Sequence, residues 1–428
     1  MNAVVVIVSL FAALSIMVLV HELGHLLAAK RSKVVVEEFG IGYPPRVLAF
    51  WRSDGEIVLD GERIVVPRKL KMPEGLRARS LVRYSTEADE KGRKVLASIT
   101  PVLPEDPAAD TASSVELLDL GTIYSLNAVP FGGFTKMLGE EDPTFPGSLA
   151  SKSKRTRIMV LAAGSGMNLL AAVLFFSLAM VVGAPALADP ENAVVSSLLP
   201  GTPAAASGLE PGDVILQADG ADVLTIEDLQ KHTLDHIGEP IVLTIQRGDQ
   251  ILDFTVVPRT SHPPDEGPIG ITLTPRTTIE RYPWYEALWL GLEEVVTLTG
   301  FIITVPMQIL RGLIPADLAR PVGPVGVGQL VGDAVQFSLD TGWWFPVTHM
   351  MGTLSVALAL TNLLPLPAMD GGRILFIVVE GIRGRRLDPA KEGMVHLVGM
   401  LLLVALMLFI TWQDVVNPIP SLDWSSLF

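Results

Sequence analysis

Residues 21–25 read His21-Glu22-Leu23-Gly24-His25 and close an uncharged apolar run that starts at residue 3. Two histidines four apart share one face of a helix, so both imidazoles can reach one metal ion. The glutamate between them is placed to take a proton from water activated by that ion. The depth of the motif sharpens the reading. An ionisable residue at membrane depth costs roughly 2.5–3.5 kcal/mol on insertion scales, and a purely structural span has no use for three within five residues. The pattern predicts the metal half of a zinc-dependent hydrolase inside a membrane helix.

A catalytic zinc takes three protein ligands and keeps one position open. Cysteine is absent, which excludes disulfides, thiol catalysis and cysteine-bound zinc. His232, His236, His262, His349 and His396 read as surface or interfacial residues. Asp370 is the better third ligand. It lies in Asn362-Leu363-Leu364-Pro365-Leu366-Pro367-Ala368-Met369-Asp370-Gly371-Gly372. His21 lies roughly 26 Å along the first span at 1.5 Å per residue, and Asp370 follows a second inward-running apolar stretch. The prolines and paired glycines allow irregular backbone, which membrane depth tolerates where it lines a cavity.

The elements that must carry these residues follow from composition. The chain has 428 residues, of which 49% are hydrophobic, and a mean hydropathy of +0.44. That suits a membrane protein with soluble parts. A net charge of −14 argues against nucleic-acid binding. Residues 184–281 hold 15 acidic and 5 basic side chains, whereas Lys30, Arg31 and Lys33, then Lys152 to Arg157, then Arg383 to Arg386 flank apolar runs. Such basic flanks mark cytoplasmic segments. The N-terminus lacks a basic n-region and a clear small-residue cleavage site, so the first run is read as retained.

The fold class expected is a polytopic α-helical membrane protein with four transmembrane helices, near 4–29, 158–182, 344–367 and 396–412. The parts in order are a first helix over 1–30, a membrane-associated β region over 31–157, and a second helix over 158–183. A small external domain follows over 184–275, then an interfacial or re-entrant segment over 276–342. A third helix over 343–380, a cytoplasmic loop over 381–395 and a fourth helix with tail over 396–428 complete the chain. Residues 295–310 are apolar but follow Glu293 and Glu294 and contain Pro306, which favours the interfacial reading. Residues 52–120, charged and containing Pro101, Pro104 and Pro107, are expected to form a partly ordered surface loop. Both termini would lie outside.

Together these motifs resemble the site-2 intramembrane zinc metalloproteases, in the bacterial regulator-of-sigma-E form with one extracytoplasmic PDZ-like domain. The resemblance covers nearly the whole chain. It implies Zn²⁺ held by His21, His25 and Asp370, Glu22 as the base, and Asn362 bonding an unwound substrate backbone. Phe39-Gly40-Ile41-Gly42 and Val129 to Met137, with Gly132 and Gly133, resemble the family's membrane-associated β-hairpin, which could clamp substrate as an added strand. Gly208 to Asp213, with Gly212, resembles a PDZ loop motif, which implies a domain that either binds a trimmed substrate C-terminus or excludes substrates whose external domain is intact. Asn168 matches the end of the family's Ala-Gly-Pro-x-x-Asn, here Ala163-Gly164-Ser165-Gly166-Met167-Asn168 with proline replaced. The implied partners are membrane-protein substrates with a transmembrane helix, such as anti-sigma factors or signal-peptide remnants, and the lipid of a bacterial inner membrane. Two other classes fit the residues: a catalytically silent helix-binding relative, and a metal transporter. A transporter needs several metal positions along a path, whereas the intramembrane ligands here converge on one.

Overall fold

A computed structural model describes residues 3–73, 75–103, 111–140, 142–188, 190–263, 266–314, 320–420, 422 and 424. Pro104 and Pro107 of the expected loop lie outside the described residues. The chain divides into two compact units, residues 1–178 with 288–421, and residues 179–287 with 422–428.

The first unit opens with α1 (Ala3–Arg31). Its apolar residues lie all round the helix, the pattern of a membrane span or of a helix enclosed in a core. The strand β1 (Val36–Arg52) follows, and after an insert β7 (Ile123–Met137) returns antiparallel to it as a long two-stranded ribbon. Arg46 locks β1 across Gly42: its guanidinium holds the Glu38 carboxyl below the usual carboxylate range, and Ser125 donates a further hydrogen bond at 2.6 Å. The outer half of the ribbon exposes Val47, Leu48, Phe50 and Trp51.

The insert corrects the expected surface loop. β2 (Gly55–Leu59), β3 (Glu62–Val66), β4 (Leu81–Ala88), β5 (Lys94–Val102) and β6 (Ser113–Asp119) close into a barrel in the order β2-β3-β5-β4-β6. Its own core contains Ile57, Leu59, Ile64, Val66, Val82, Leu96 and Val115. Closure removes the sheet edges that short charged strands would otherwise expose.

α2 (Lys154–Gly183) leads into the second unit. There β8 (Ala184–Leu187) precedes β9 (Ala193–Leu198), α3 (Pro203–Ser207), β10 (Val214–Ala218), β11 (Ala221–Asp222) and α4 (Ile226–Asp235). β12 (Ile241–Arg247), β13 (Gln250–Val256), β14 (Ile271–Pro275) and β15 (Thr277–Glu280) complete it. The sheet order is β13-β12-β10-β9-β14, with β11 on β10. The small domain expected over 184–275 falls within this unit, whose core includes Val195, Ile215, Leu229, Leu243 and Ile245. One lock holds its turn: Arg247 Nε and Nη2 reach the fully buried Asp213 at 2.7 and 2.8 Å. Removing the arginine strands a buried charge, so Arg247→Ala is expected to lower the midpoint of this unit's unfolding in denaturant titration.

The first unit resumes within α5 (Trp284–Leu310) and continues with α6 (Pro324–Thr341), α7 (Phe345–Leu363), α8 (Asp370–Arg383) and α9 (Pro389–Val416). Two expectations change. The segment read as interfacial contains α5, which continues through Pro306 for 27 residues. Among the described residues, α5 is by length and composition one of four helices able to cross a membrane, with α1, α2 and α9. The third expected span, in contrast, divides. α7 stops at Leu363, Pro365 and Pro367 interrupt the helix, and α8 begins at Asp370. α7 is largely enclosed, with Phe345, Met350, Met351, Val356 and Ala359 buried.

Candidate metal centre

The site forms where α1 crosses α2 and the start of α8 meets them. The crossing is close because both helices carry glycine at the contact. A Cβ on Gly24 would lie 2.3 Å from the Ala163 carbonyl oxygen, and one on Gly164 would lie 2.5 and 2.6 Å from the Nε2 atoms of His25 and His21. Val160, Gly164 and Asn168 recur every four residues, so they form one face of α2 turned towards the histidines.

Asp370 is delivered by the broken backbone after α7. Ala368 takes φ +70°, and its N–H donates to His396 Nδ1 at 2.9 Å. Gly371 and Gly372 then turn so tightly that a Cβ would meet the carbonyl oxygens of Leu364 and Leu366 at 2.2 Å. The Gly-Gly after the aspartate is thus a packing requirement.

His21 Nε2 and His25 Nε2 lie 3.0 and 3.1 Å from the same Asp370 oxygen, and 3.1 Å from each other. His25 donates Nδ1–H to the Val160 carbonyl at 2.9 Å, which leaves its Nε2 as a lone pair. His21 Nδ1 lies 3.4 Å from the Asn168 amide, whose other polar atom is buried without a partner. Turning that amide so that its oxygen faces Nδ1–H frees the second Nε2 lone pair as well. Two nitrogen lone pairs and a carboxylate oxygen at these separations repel unless a cation lies among them. Zinc–nitrogen bonds of about 2.0–2.1 Å in tetrahedral array set ligand atoms about 3.3 Å apart, close to the separations here. The residues present fit zinc, and the missing Gly164 Cβ keeps its cradle open.

The other predicted residues are placed as follows. Glu22 clusters with His21 and His25, their ligand atoms within 4.8 Å. Its backbone carbonyl accepts from Thr135 Oγ1 on β7 at 2.9 Å. Gly133 lies beside Glu22, and Gly132 donates to Ser15 Oγ at 3.2 Å, so both glycines set β7 against α1. Asn168 is fully buried and faces His21, its carbonyl bonded by Ser355 at 2.8 Å. Asn362 is half-buried at the end of α7 and donates to Leu358 O at 3.0 Å. Gly208 and Gly212 take φ +93° and +95° in the turn that Asp213 and Arg247 lock. They do not line the apolar groove of about 220 Å³ between α4 and β14, which Leu229, Thr233, Leu234 and Ile271 border. Sequence reading missed Gly164, Val160 and His396. Gly164 stood within the Ala163–Asn168 motif, and its spacing from Asn168 was the signal available.

The family model for peptidase family M50 matches residues 9–59 and 115–406. A relative from Clostridium perfringens is 31% identical over 95% of this chain and 97% of its own. The zinc metalloprotease RasP of Oceanobacillus iheyensis is 30% identical over 97% of this chain and 99% of its own. A solved PDZ domain of an SdrC-like protein from Listeria monocytogenes is similar to 20% of this chain over 88% of its own, at 22% identity and a TM-score of 0.18. The unmatched stretch 60–114 contains β3, β4 and β5 of the barrel. Its ends are adjacent, Ser53 N donating to Thr122 O at 3.0 Å. Replacing residues 55–119 by a short turn is therefore expected to leave metal content unchanged, checked by elemental analysis of the purified protein. Loss of the metal on excision would show that the barrel supports the ribbon beside Glu22. With two histidines and an aspartate of two separate helices gathered at one point, and the family matched along both halves of that gathering, the chain belongs to peptidase family M50 and is a zinc metalloendopeptidase.

Proposed function

We propose that this enzyme hydrolyses peptide bonds within or next to the transmembrane helices of membrane proteins. One observation carries the reading: His21, His25 and Asp370 converge within 3.0–3.1 Å, with Glu22 beside them, far along a helix long and apolar enough to cross a bilayer. His21, His25 and Asp370 would hold the zinc. Bound there, the ion supplies a Lewis acid that makes water nucleophilic near neutral pH. Glu22 accepts the proton from the attacking water and delivers it to the leaving amine. Val160 and Asn168 keep both imidazoles in the tautomer that presents Nε2. A substrate helix hides its amides in i→i−4 hydrogen bonds and must unwind first. The β1–β7 ribbon beside Glu22, kept slim by Gly132 and Gly133, supports capture of the unwound segment as an added strand, and Asn362 would bond its backbone.

The basic flanks support a bacterial cytoplasmic membrane location with the centre near the cytoplasmic side and the acidic PDZ-like unit outside. The α4–β14 groove suits a peptide C-terminus. The test is cleavage of a fluorescent single-span substrate in liposomes, before and after chelation and after zinc is restored. Activity that survives complete zinc removal would overturn the reading, as would cleavage confined to soluble peptides.

A further inference from the structure

The PDZ-like unit contains a second group of metal-ligating side chains, far in sequence from the first. His232 and His236 stand one helical turn apart at the end of α4 and share a face. Facing them is Asp219, in the Asp219-Gly220 turn between β10 and β11, held at φ +50°. His232 Nε2 lies 2.8 Å from Asp219 Oδ2. The two imidazoles stack with centroids 4.3 Å apart and 25° between planes. One ligand atom from each of the three residues falls within 4.8 Å of the others.

The surrounding hydrogen bonds orient these groups as a metal site needs. His236 Nδ1 donates to the His232 carbonyl at 2.9 Å, so its Nε2 keeps the lone pair. Asp219 Oδ1 accepts the Val242 N–H at 2.8 Å, so Oδ2 is the oxygen turned to the histidines. Ligands anchored through their second polar atom by backbone are the arrangement that fixes tautomer and ring orientation in known metal centres. A plain hydrogen-bonded His–Asp pair explains His232 but gives no reason for His236 to stack on it with a free nitrogen.

We infer that Asp219, His232 and His236 form a second metal site, for a late first-row divalent cation such as zinc, with water completing the coordination. Two imidazoles and one carboxylate oxygen suit these ions, whereas calcium and magnesium prefer all-oxygen sites. The site is accessible, since Asp219 is exposed and both histidines are half-buried. The ion would tie the last turn of α4 to the β10–β11 turn. α4 also supplies Leu229, Thr233 and Leu234 to the groove beside β14. Metal bound here would therefore hold one wall of that groove in place and couple cation binding to peptide binding.

The test uses the full chain in detergent, carrying His21→Ala and Asp370→Ala so that the intramembrane ligands are removed. Zinc is titrated in competition with a chromophoric chelator. One equivalent is expected to bind. His232→Gln or His236→Gln should weaken it at least tenfold, and both together should abolish it. Undiminished binding in the double variant overturns the proposal, and so does the absence of any bound equivalent before those changes. The otherwise unaltered protein gives an independent reading. Its zinc content should fall from two per chain to one with His232→Gln and His236→Gln, while transmembrane-substrate cleavage continues. An unchanged zinc content there would also overturn the proposal.

Discussion

Replacing Glu22 by glutamine is expected to lower the cleavage rate by about 10²–10⁴-fold, the range that a positioned general base contributes. Zinc held by His21, His25 and Asp370 should stay bound. The substitution keeps the side chain's length and shape, and none of the three converging ligand atoms belongs to Glu22. The helix register does not depend on it either, because Thr135 holds Glu22 through its backbone carbonyl. What glutamine loses is the ability to accept a proton from water. The loss should fall on kcat with little change in KM, since the carboxylate acts in the transition state and the ribbon that would hold substrate is untouched. Elemental analysis and single-turnover cleavage measure the two halves of this expectation. Full activity in Glu22→Gln would remove the assigned base. Loss of zinc together with activity would instead make Glu22 part of the metal's support.

The histidine motif was legible because helical geometry converts a spacing of four into a shared face, whatever the tertiary fold. Asp370 was legible because a carboxylate between prolines and paired glycines has few structural uses at membrane depth. The barrel was not. Its strands are short and charged, and each buries only alternate residues, such as Ile57 and Leu59 on β2 or Ile64 and Val66 on β3. That alternation was present in the sequence, but no single strand outweighed the polar residues and prolines around it. Only closure gives the pattern its meaning. The segment after residue 284 was read as interfacial for a related reason. Glu293, Glu294 and Pro306 counted against a span, yet they lie within the continuous helix α5, which packs Val295 against Ala172, Phe176 and Val356. Tertiary contact thus supplied what local propensity lacked. Residues 344–367 read as one span because apolar composition does not reveal where prolines end α7.

Gly164→Ala is expected to abolish cleavage by destroying the metal site, whereas Gly166→Ala, two residues away on the same helix, should be nearly silent. The added methyl is the same in both; the surroundings differ. At Gly164 a Cβ would lie 2.5 Å from His25 Nε2 and 2.6 Å from His21 Nε2, inside any tolerable contact. These are the atoms that would hold the metal, so relief requires at least one imidazole to leave the position it shares with Asp370. His25 cannot swing freely, because its Nδ1 is anchored to Val160, only one turn from Gly164 on α2. The alternative is for α1 and α2 to separate, which the Gly24 contact with Ala163 resists as long as the helices stay packed. Either route misplaces a ligand, and zinc affinity should fall by at least about 100-fold, beyond the 10–100-fold typical of losing an outer support. Overpacking should also cost about 1–3 kcal/mol of stability. At Gly166 a Cβ meets nothing within 4 Å, and alanine is the better helix former. Zinc content and thermal unfolding of the two variants, measured side by side, decide the matter. A Gly164→Ala protein with full zinc and wild-type cleavage would show that the helices do not cross here as closely as the glycines require.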